Sequence, residues 1–301
     1  MNIRIIPRLD IKGPNLVKGI HFEGLRVLGK PEYFARYYYE NGADELIYMD
    51  AVASLYGRNS LLEIVSKTAR EIFIPLTVGG GLRSVDDIRQ VLRAGADKVS
   101  LNTAVIARPE LIHEASRAFG SSTIVVSIEA IRKTDGTYEA YANYGRERTE
   151  VDVFEWAKQA VELGAGELMV TSINNEGAGK GFDLELTRRI AESVPVPVIA
   201  GGGAGKISDV CNVITQGKAE AVALASILHY NYIRHHRATG DDYSREGNIE
   251  FLKRGASFSK IQDAAISDIK KYLLANNIDC RSSFPSVQPV SSDLSRELAN
   301  V

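Results

Sequence analysis

The sequence is poor in cysteine, in metal-ligand spacings, in long apolar runs and in net charge. Only Cys211 and Cys280 are present, far apart and with no CxxC pair, which excludes a disulfide framework and a thiolate zinc site. His229, His235 and His236 lie near the last strand and in a polar stretch without ligand spacing, so no metal is expected. No motif calls for a cofactor. No stretch reaches the roughly 18 apolar residues of a membrane span, and the start MNIRIIPRLDIKG lacks the h-region and cleavage site of a signal peptide. A cytoplasmic location is the expectation. The formal charge of −2 provides no global field to gather nucleic acid or an anionic membrane, so any anion must be held locally. Apolar surface is not scarce: 45% hydrophobic and 25% charged residues exclude disordered and collagen-like classes.

What is present is alternation. Short β-branched runs at Ile3–Asp10, Glu45–Asp50, Pro75–Val78, Lys98–Leu101, Thr123–Glu129, Glu167–Thr171, Pro197–Ala200 and Ala221–Leu224 are separated by amphipathic helical patterns such as Leu61–Glu71 and Val153–Leu163. Eight strands in strict βα order predict a closed barrel. The pattern also repeats. GADELIYMD at Gly42 returns as GAGELMVTS at Gly164, IPLTVGGGLRS around Gly79 as VPVIAGGGAGK around Gly201, and the segment at Gly95 as that at Gly217, all at one interval. RIIPRLDI likewise matches STIVVSIEA, which sets Asp10 opposite Glu129. The fold class is therefore α/β, a (β/α)8 TIM barrel built from two similar (β/α)4 halves. Residues 1–279 form one barrel, with a polar insertion over 234–258 and a closing helix over 259–277. Residues 280–301 are a Ser-, Pro- and Gln-containing tail with too little apolar surface to order.

Each half carries a glycine triplet, Gly79-Gly80-Gly81 and Gly201-Gly202-Gly203, between a strand and a helix. Free of Cβ atoms, such a turn aims several backbone N–H groups at one point while the helix adds its positive end, which suits a phosphate. A tight turn is the plainer reading of one triplet; the symmetric pair favours two phosphates. Gly80, Gly81, Asn102 and Thr103 form one cradle, and Gly202, Gly203, Ala225 and Ser226 the other. Ser84 and Asp87 match a capping pattern for the helix after the first triplet. Asp10 and Glu129 end opposite strands and are placed to donate and remove protons on two sides of one ligand, unless each serves its own loop. Lys18, in the glycine-flanked loop LVKGIHFEG, is open to two readings: a clamp on an anion, or a solvated charge. Asp50 and Asn174 also end near the active face. Arg4, Glu45, Lys98 and Glu167 begin strands 1, 2, 4 and 6, and charge pattern alone makes them a salt-bridge ring closing the barrel's bottom. Tyr37–Tyr39 reads as packing.

These residues resemble the cyclase subunit family of imidazole glycerol phosphate synthase, from histidine biosynthesis. The likeness spans about residues 2 to 230. It is carried in order by RIIPRLD, LVKG, GADELIYMD, FIPLTVGGGLRS, GADKVSLNTA, WAKQAVELGAGELMVTS, GKGFDLELTR, VPVIAGGGAG and ALASILH. The resemblance implies a cyclase, a lyase that joins ammonia to a ribulosyl aminoimidazole carboxamide nucleotide and releases imidazole glycerol phosphate and AICAR. It also implies a glutaminase partner docked at the bottom of the barrel, with ammonia passing through. On this resemblance Asp10 and Glu129 are the catalytic acid/base pair, Lys18 the loop lysine, and Ser172 and Gly177 join the phosphate-binding set. Arg4, Glu45, Lys98 and Glu167 become an ammonia gate rather than a purely structural ring.

The chain departs from the family's pattern. Arg8 stands where cysteine is usual, Glu129 where aspartate is, Asn174 and Glu176 in a loop that usually reads Asp-Arg-Asp, and the 234–258 insertion has no counterpart. By strand alternation Arg8 points to the same side as Asp10. These departures suit a divergent paralogue. Two alternatives accompany the cyclase: an ammonia-channelling subunit for another amidotransferase, such as one modifying a sugar, and a phosphoribosyl sugar isomerase that needs no glutaminase.

Overall fold

A computed structural model describes residues 2–53, 61–236 and 260–282. In chain order the strands are β1 (Arg4–Lys12), β2 (Asn15–Ile20), β3 (Glu23–Gly29), β4 (Leu46–Asp50), β5 (Leu76–Gly79), β6 (Lys98–Leu101), β7 (Ile124–Arg132), β8 (Tyr138–Ala142), β9 (Glu147–Asp152), β10 (Glu167–Ser172), β11 (Val198–Gly201) and β12 (Ala221–Leu224). The helices are α1 (Pro31–Glu40), α2 (Leu62–Thr68), α3 (Val85–Arg93), α4 (Thr103–Ala107), α5 (Glu110–Phe119), α6 (Val153–Glu162), α7 (Leu184–Ala191), α8 (Ile207–Thr215), α9 (Ser226–His235) and α10 (Ile266–Ala275). Among the described residues no helix is long and apolar enough to cross a membrane.

Eight strands run parallel in the order β10-β11-β12-β1-β4-β5-β6-β7, and β7 pairs with β10 to close the barrel. All eight predicted strands are present within a few residues of their expected ends. They are buried on both faces, as the continuous apolar runs require. Alternation then sorts the side chains. Ile6, Ile47, Met49, Val125, Met169, Ile199, Ala221 and Ala223 fill the barrel interior, while Ile5, Leu9, Ile11 and Tyr48 pack outward with helix residues such as Phe34, Val65 and Ile88.

Two excursions interrupt the βα alternation, and both escaped the sequence reading. The segment read as a loop after the first strand is the antiparallel hairpin β2–β3, with Lys18 on β2 opposite Arg26. A second hairpin, β8–β9, follows β7 at the equivalent place in the other half. Its turn carries positive φ at Asn143, Tyr144 and Gly145. Both hairpins fold over the carboxyl ends of the strands: Phe22 and Tyr144 meet at 4.4 Å between ring centroids, and both pack with Val17, Ala51 and Ile173.

At the other end of the chain, α10 starts at Ile266, later than the expected 259–277 helix: residue 260 lies in a turn and residues 261–265 form no regular element. Lys270 of α10 is buried and donates to the Gly42 carbonyl at 2.7 Å and to Asp44 at 2.8 Å. Cys280, expected to begin a disordered tail, forms a bridge with Ile3 instead, since its backbone reaches an open place beside the first strand. Of the 234–258 insertion, residues 234–236 continue the end of α9; residues 237–258 and the tail 283–301 lie outside the described residues.

Candidate active site at the carboxyl ends of the strands

The strand register brings the predicted site residues to one end of the barrel. Asp10 on β1 and Glu129 on β7 are both almost fully buried there. Asn102, beginning α4, donates its amide to Glu129 at 3.1 Å and to the Tyr141 carbonyl at 3.1 Å, tying the carboxyl to β8. Burial lifts Glu129 to about 7, although the Arg8 guanidinium and a backbone N–H from Gly145 oppose the shift. A carboxyl near 7 exchanges protons at neutral pH.

Arg8 lies in the middle of this end, pointing inward as alternation predicts. Its Nε donates to Asp10 at 3.0 Å and its Nη1 to the Thr171 hydroxyl at 3.2 Å, and the Phe22 ring covers it at 5.2 Å. Burial works against its charge, but Asp10, with Tyr144, Glu176 and Glu129 behind it, more than offsets that cost. His229 supports the strand from below the surface. Its Nε2 lies 3.0 Å from the Arg8 carbonyl, which only accepts, so Nδ1 receives the Tyr38 hydroxyl at 2.7 Å. Burial, aided by the Lys18 charge, holds this histidine down at about 3, a neutral core histidine.

The first glycine turn has the form a cradle requires. Gly80 and Gly81 both have positive φ, and a Cβ on Gly80 would stand 2.6 Å from the Asp50 carbonyl. The predicted capping box is present, with Ser84 accepting from the Asp87 N–H at 3.1 Å and Asp87 from the Ser84 N–H at 3.0 Å. A cavity of about 300 Å³ opens against this turn and is lined by Asp50, Gly80, Gly81, Asn102, Thr103 and Glu129. Thr103 also accepts the Asn143 N–H at 2.9 Å, which anchors the second hairpin.

The second turn repeats the backbone. Gly202 and Gly203 have positive φ, and Asp209, at the repeat position of Asp87, accepts from the Gly205 and Lys206 N–H groups at 2.9 and 3.0 Å. Its cavity is only about 20 Å³, lined by Arg8, Glu176, Gly177, Gly202, Gly203 and Ser226, with Ala225 at the edge. Ser172 and Lys18 are buried nearby, and Lys18 is ion-paired to Glu176. The β2–β3 hairpin presses on this loop, with His21 N–H donating to the Glu176 carbonyl at 2.9 Å. Asn174 holds the loop itself, accepting the Arg132 N–H at 2.8 Å.

At the opposite end, Arg4 and Lys98 alternate with Glu45 and Glu167 in a closed ring. Arg4 contacts the two glutamates at 2.7 Å each, and Lys98 at 3.2 and 2.9 Å. All four residues predicted from strand beginnings are brought together.

Sequence reading missed Thr171, Phe22 and Tyr144. Thr171 was visible as the inward neighbour of Ser172 by alternation. Phe22 and Tyr144 lie at hairpin tips without an Asn-Gly or Asp-Gly pair, although Asp135-Gly136 at the turn into β8 was a legible signal for the second excursion.

The family model for "Histidine biosynthesis protein" matches residues 4–234. A protein of Legionella pneumophila named "Imidazole glycerol phosphate synthase subunit HisF" is 58% identical over 208 residues, covering 69% of this chain and 98% of that protein. Proteins of the same name from Geobacillus thermodenitrificans and Alkaliphilus metalliredigens are 50% and 45% identical, covering 75% and 76% of this chain and 90% and 91% of theirs.

Proposed function

The chain belongs to the histidine biosynthesis protein family, and from that premise we propose that it is the cyclase subunit of an imidazole glycerol phosphate synthase, a lyase fed with ammonia by a glutaminase. The observation that carries this reading is the joint presence of two buried carboxyls between two glycine cradles at one end and a charged ring at the other. A ligand with two phosphates spans the cradles. Ammonia adds at the ketose carbonyl of the ribulosyl aminoimidazole carboxamide nucleotide, and Asp10 and Glu129 then move protons through elimination and ring closure to release imidazole glycerol phosphate and AICAR. With its carboxyl near 7, Glu129 is the donor of the pair.

The ring supports a glutaminase at the bottom face, since the barrel interior connects that end to the site through apolar side chains. Phe73, 81% exposed in the loop leading into β5 at the same end, supports a docking surface there. An isomerase would need neither feature.

Asp10→Asn and Glu129→Gln test the assignment with saturating ammonium, which bypasses the partner. Each variant is expected to lose at least about 100-fold in turnover, the scale of general acid–base catalysis. Full activity in either removes that residue from the chemistry. One observation favours the conduit reading, the ion pair between Asp10 and Arg8; it predicts a chain that carries ammonia but forms no product alone.

A further inference from the structure

The two cradles descend from one repeated sequence, yet they are furnished differently. The repeat that sets Asp10 opposite Glu129 sets Arg8 opposite Ser127, so a guanidinium stands in one half where a hydroxyl stands in the other. Glu176, from the second half, and Lys18, from the first, add a buried ion pair beside the cradle that Arg8 lines. The first cavity holds about 300 Å³ and the second about 20 Å³, room for little more than a water molecule.

Arg8 is fixed on all sides but one. Nε is held by Asp10, Nη1 by Thr171, the ring of Phe22 covers the guanidinium, and His229 holds the backbone carbonyl. Nη2 is buried and has no hydrogen-bond partner among the described residues. A buried charged donor without a partner is costly, and the residue is only 4% exposed. Arg8 lines the small cavity together with Gly202, Gly203 and Ser226. An acidic side chain of the chain itself borders that cavity: Glu176 lines it, and its Oε2 lies 3.1 Å from where a Gly202 Cβ would be, slightly farther than the backbone carbonyl of Ser172 at 2.8 Å.

We propose that Arg8 is the specificity-determining side chain of the second cradle, its free Nη2 donating to the second phosphate monoester of the ligand, and that Glu176 is the internal anion which that phosphate replaces. The proposal rests on the two-phosphate reading of the site. When the phosphate enters, Lys18 exchanges its carboxylate partner for the ligand, and two cations face the incoming dianion. An arm of a guanidinium fork directed at a phosphate oxygen is a charge-assisted bond of defined direction. The first cradle's cavity is lined by Asn102, Thr103 and two arginines, Arg83 and Arg108, that are both exposed, whereas Arg8 at the second is buried, and the two ends of the ligand are thereby distinguished.

Titration of the full-length, ¹⁵N-labelled chain with inorganic phosphate tests this without any turnover. The amides of Gly80 and Gly81 report the first cradle, and those of Gly202 and Gly203 the second. Arg8→Met is expected to weaken phosphate binding at the second cradle at least tenfold while the first stays within twofold. Glu176→Gln is expected to tighten the second several-fold, since the competing charge is gone. Unchanged affinity at Gly202 and Gly203 in Arg8→Met, or equal weakening at both cradles, overturns the proposal. Should Arg8→Met fail to fold, Glu176→Gln decides alone: unchanged or weaker binding at the second cradle overturns it. A wild-type chain whose glycine amides do not respond at either cradle removes the two-phosphate reading and the proposal with it. Loss of cyclase turnover with intact phosphate responses touches only the cyclase reading.

Discussion

At the scale of single residues, the site turns on one carboxyl whose proton is available at neutral pH. Burial raises Glu129 to about 7, against an ordinary value near 4.3 in the unfolded chain. The folded state therefore favours the protonated form: its contribution to stability is complete below pH of about 4.3 and is lost as pH rises through 7. On the proposed cyclase reading Glu129 donates only while it carries its proton, so turnover with ammonium is expected to fall about tenfold per pH unit above 7 once ammonia supply is corrected for. A pH–rate profile checks this, and a flat profile from 6 to 9 would assign the donor elsewhere. Both residues that the sequence placed opposite one another lie buried at the same end of the barrel, because strand ends are defined by register. The surroundings that set their chemistry were not legible. Arg8 was predicted to point inward, but its bonds to Asp10 and Thr171 depend on χ angles and on strands distant in the chain.

At the scale of elements, the eight barrel strands were legible because each is a short β-branched run between helical patterns, and the repeat fixed their order. The hairpins β2–β3 and β8–β9 were not. β2 begins after a two-residue turn at Gly13 and contains Gly19, while β9 is half exposed and charged, so neither has the apolar alternation of a core strand. The closing helix α10 was legible from its apolar positions, whereas its anchor was not. Lys270 is a buried ammonium whose partners, Gly42 and Asp44, come from the other end of the chain. Removing one member of such a pair leaves the other uncompensated, although Arg281 also contacts Asp44 at 3.0 Å. Lys270→Ala is expected to cost about 3 kcal/mol in denaturant unfolding with the phosphate cradles unaltered. A loss below about 0.5 kcal/mol would show that α10 docks by its apolar face alone.

At the scale of the whole molecule, the two faces of one barrel carry different groups. The glycine cradles and carboxyls occupy the carboxyl ends of the strands, and the ring of Arg4, Glu45, Lys98 and Glu167 closes the other end beside the exposed Phe73. Phe73→Glu is expected to reduce glutamine-driven turnover in the presence of the glutaminase at least tenfold and leave ammonium-driven turnover intact, the signature of a docking residue. Equal rates from both nitrogen sources would move the partner to another face. The central claim, that this barrel performs the ring closure itself, is tested most directly by one measurement: the purified chain alone, given the ribulosyl aminoimidazole carboxamide nucleotide and ammonium, with product formation followed over time. The account predicts imidazole glycerol phosphate and AICAR in equal amounts. A folded chain that binds phosphate at both cradles and forms neither product would contradict it.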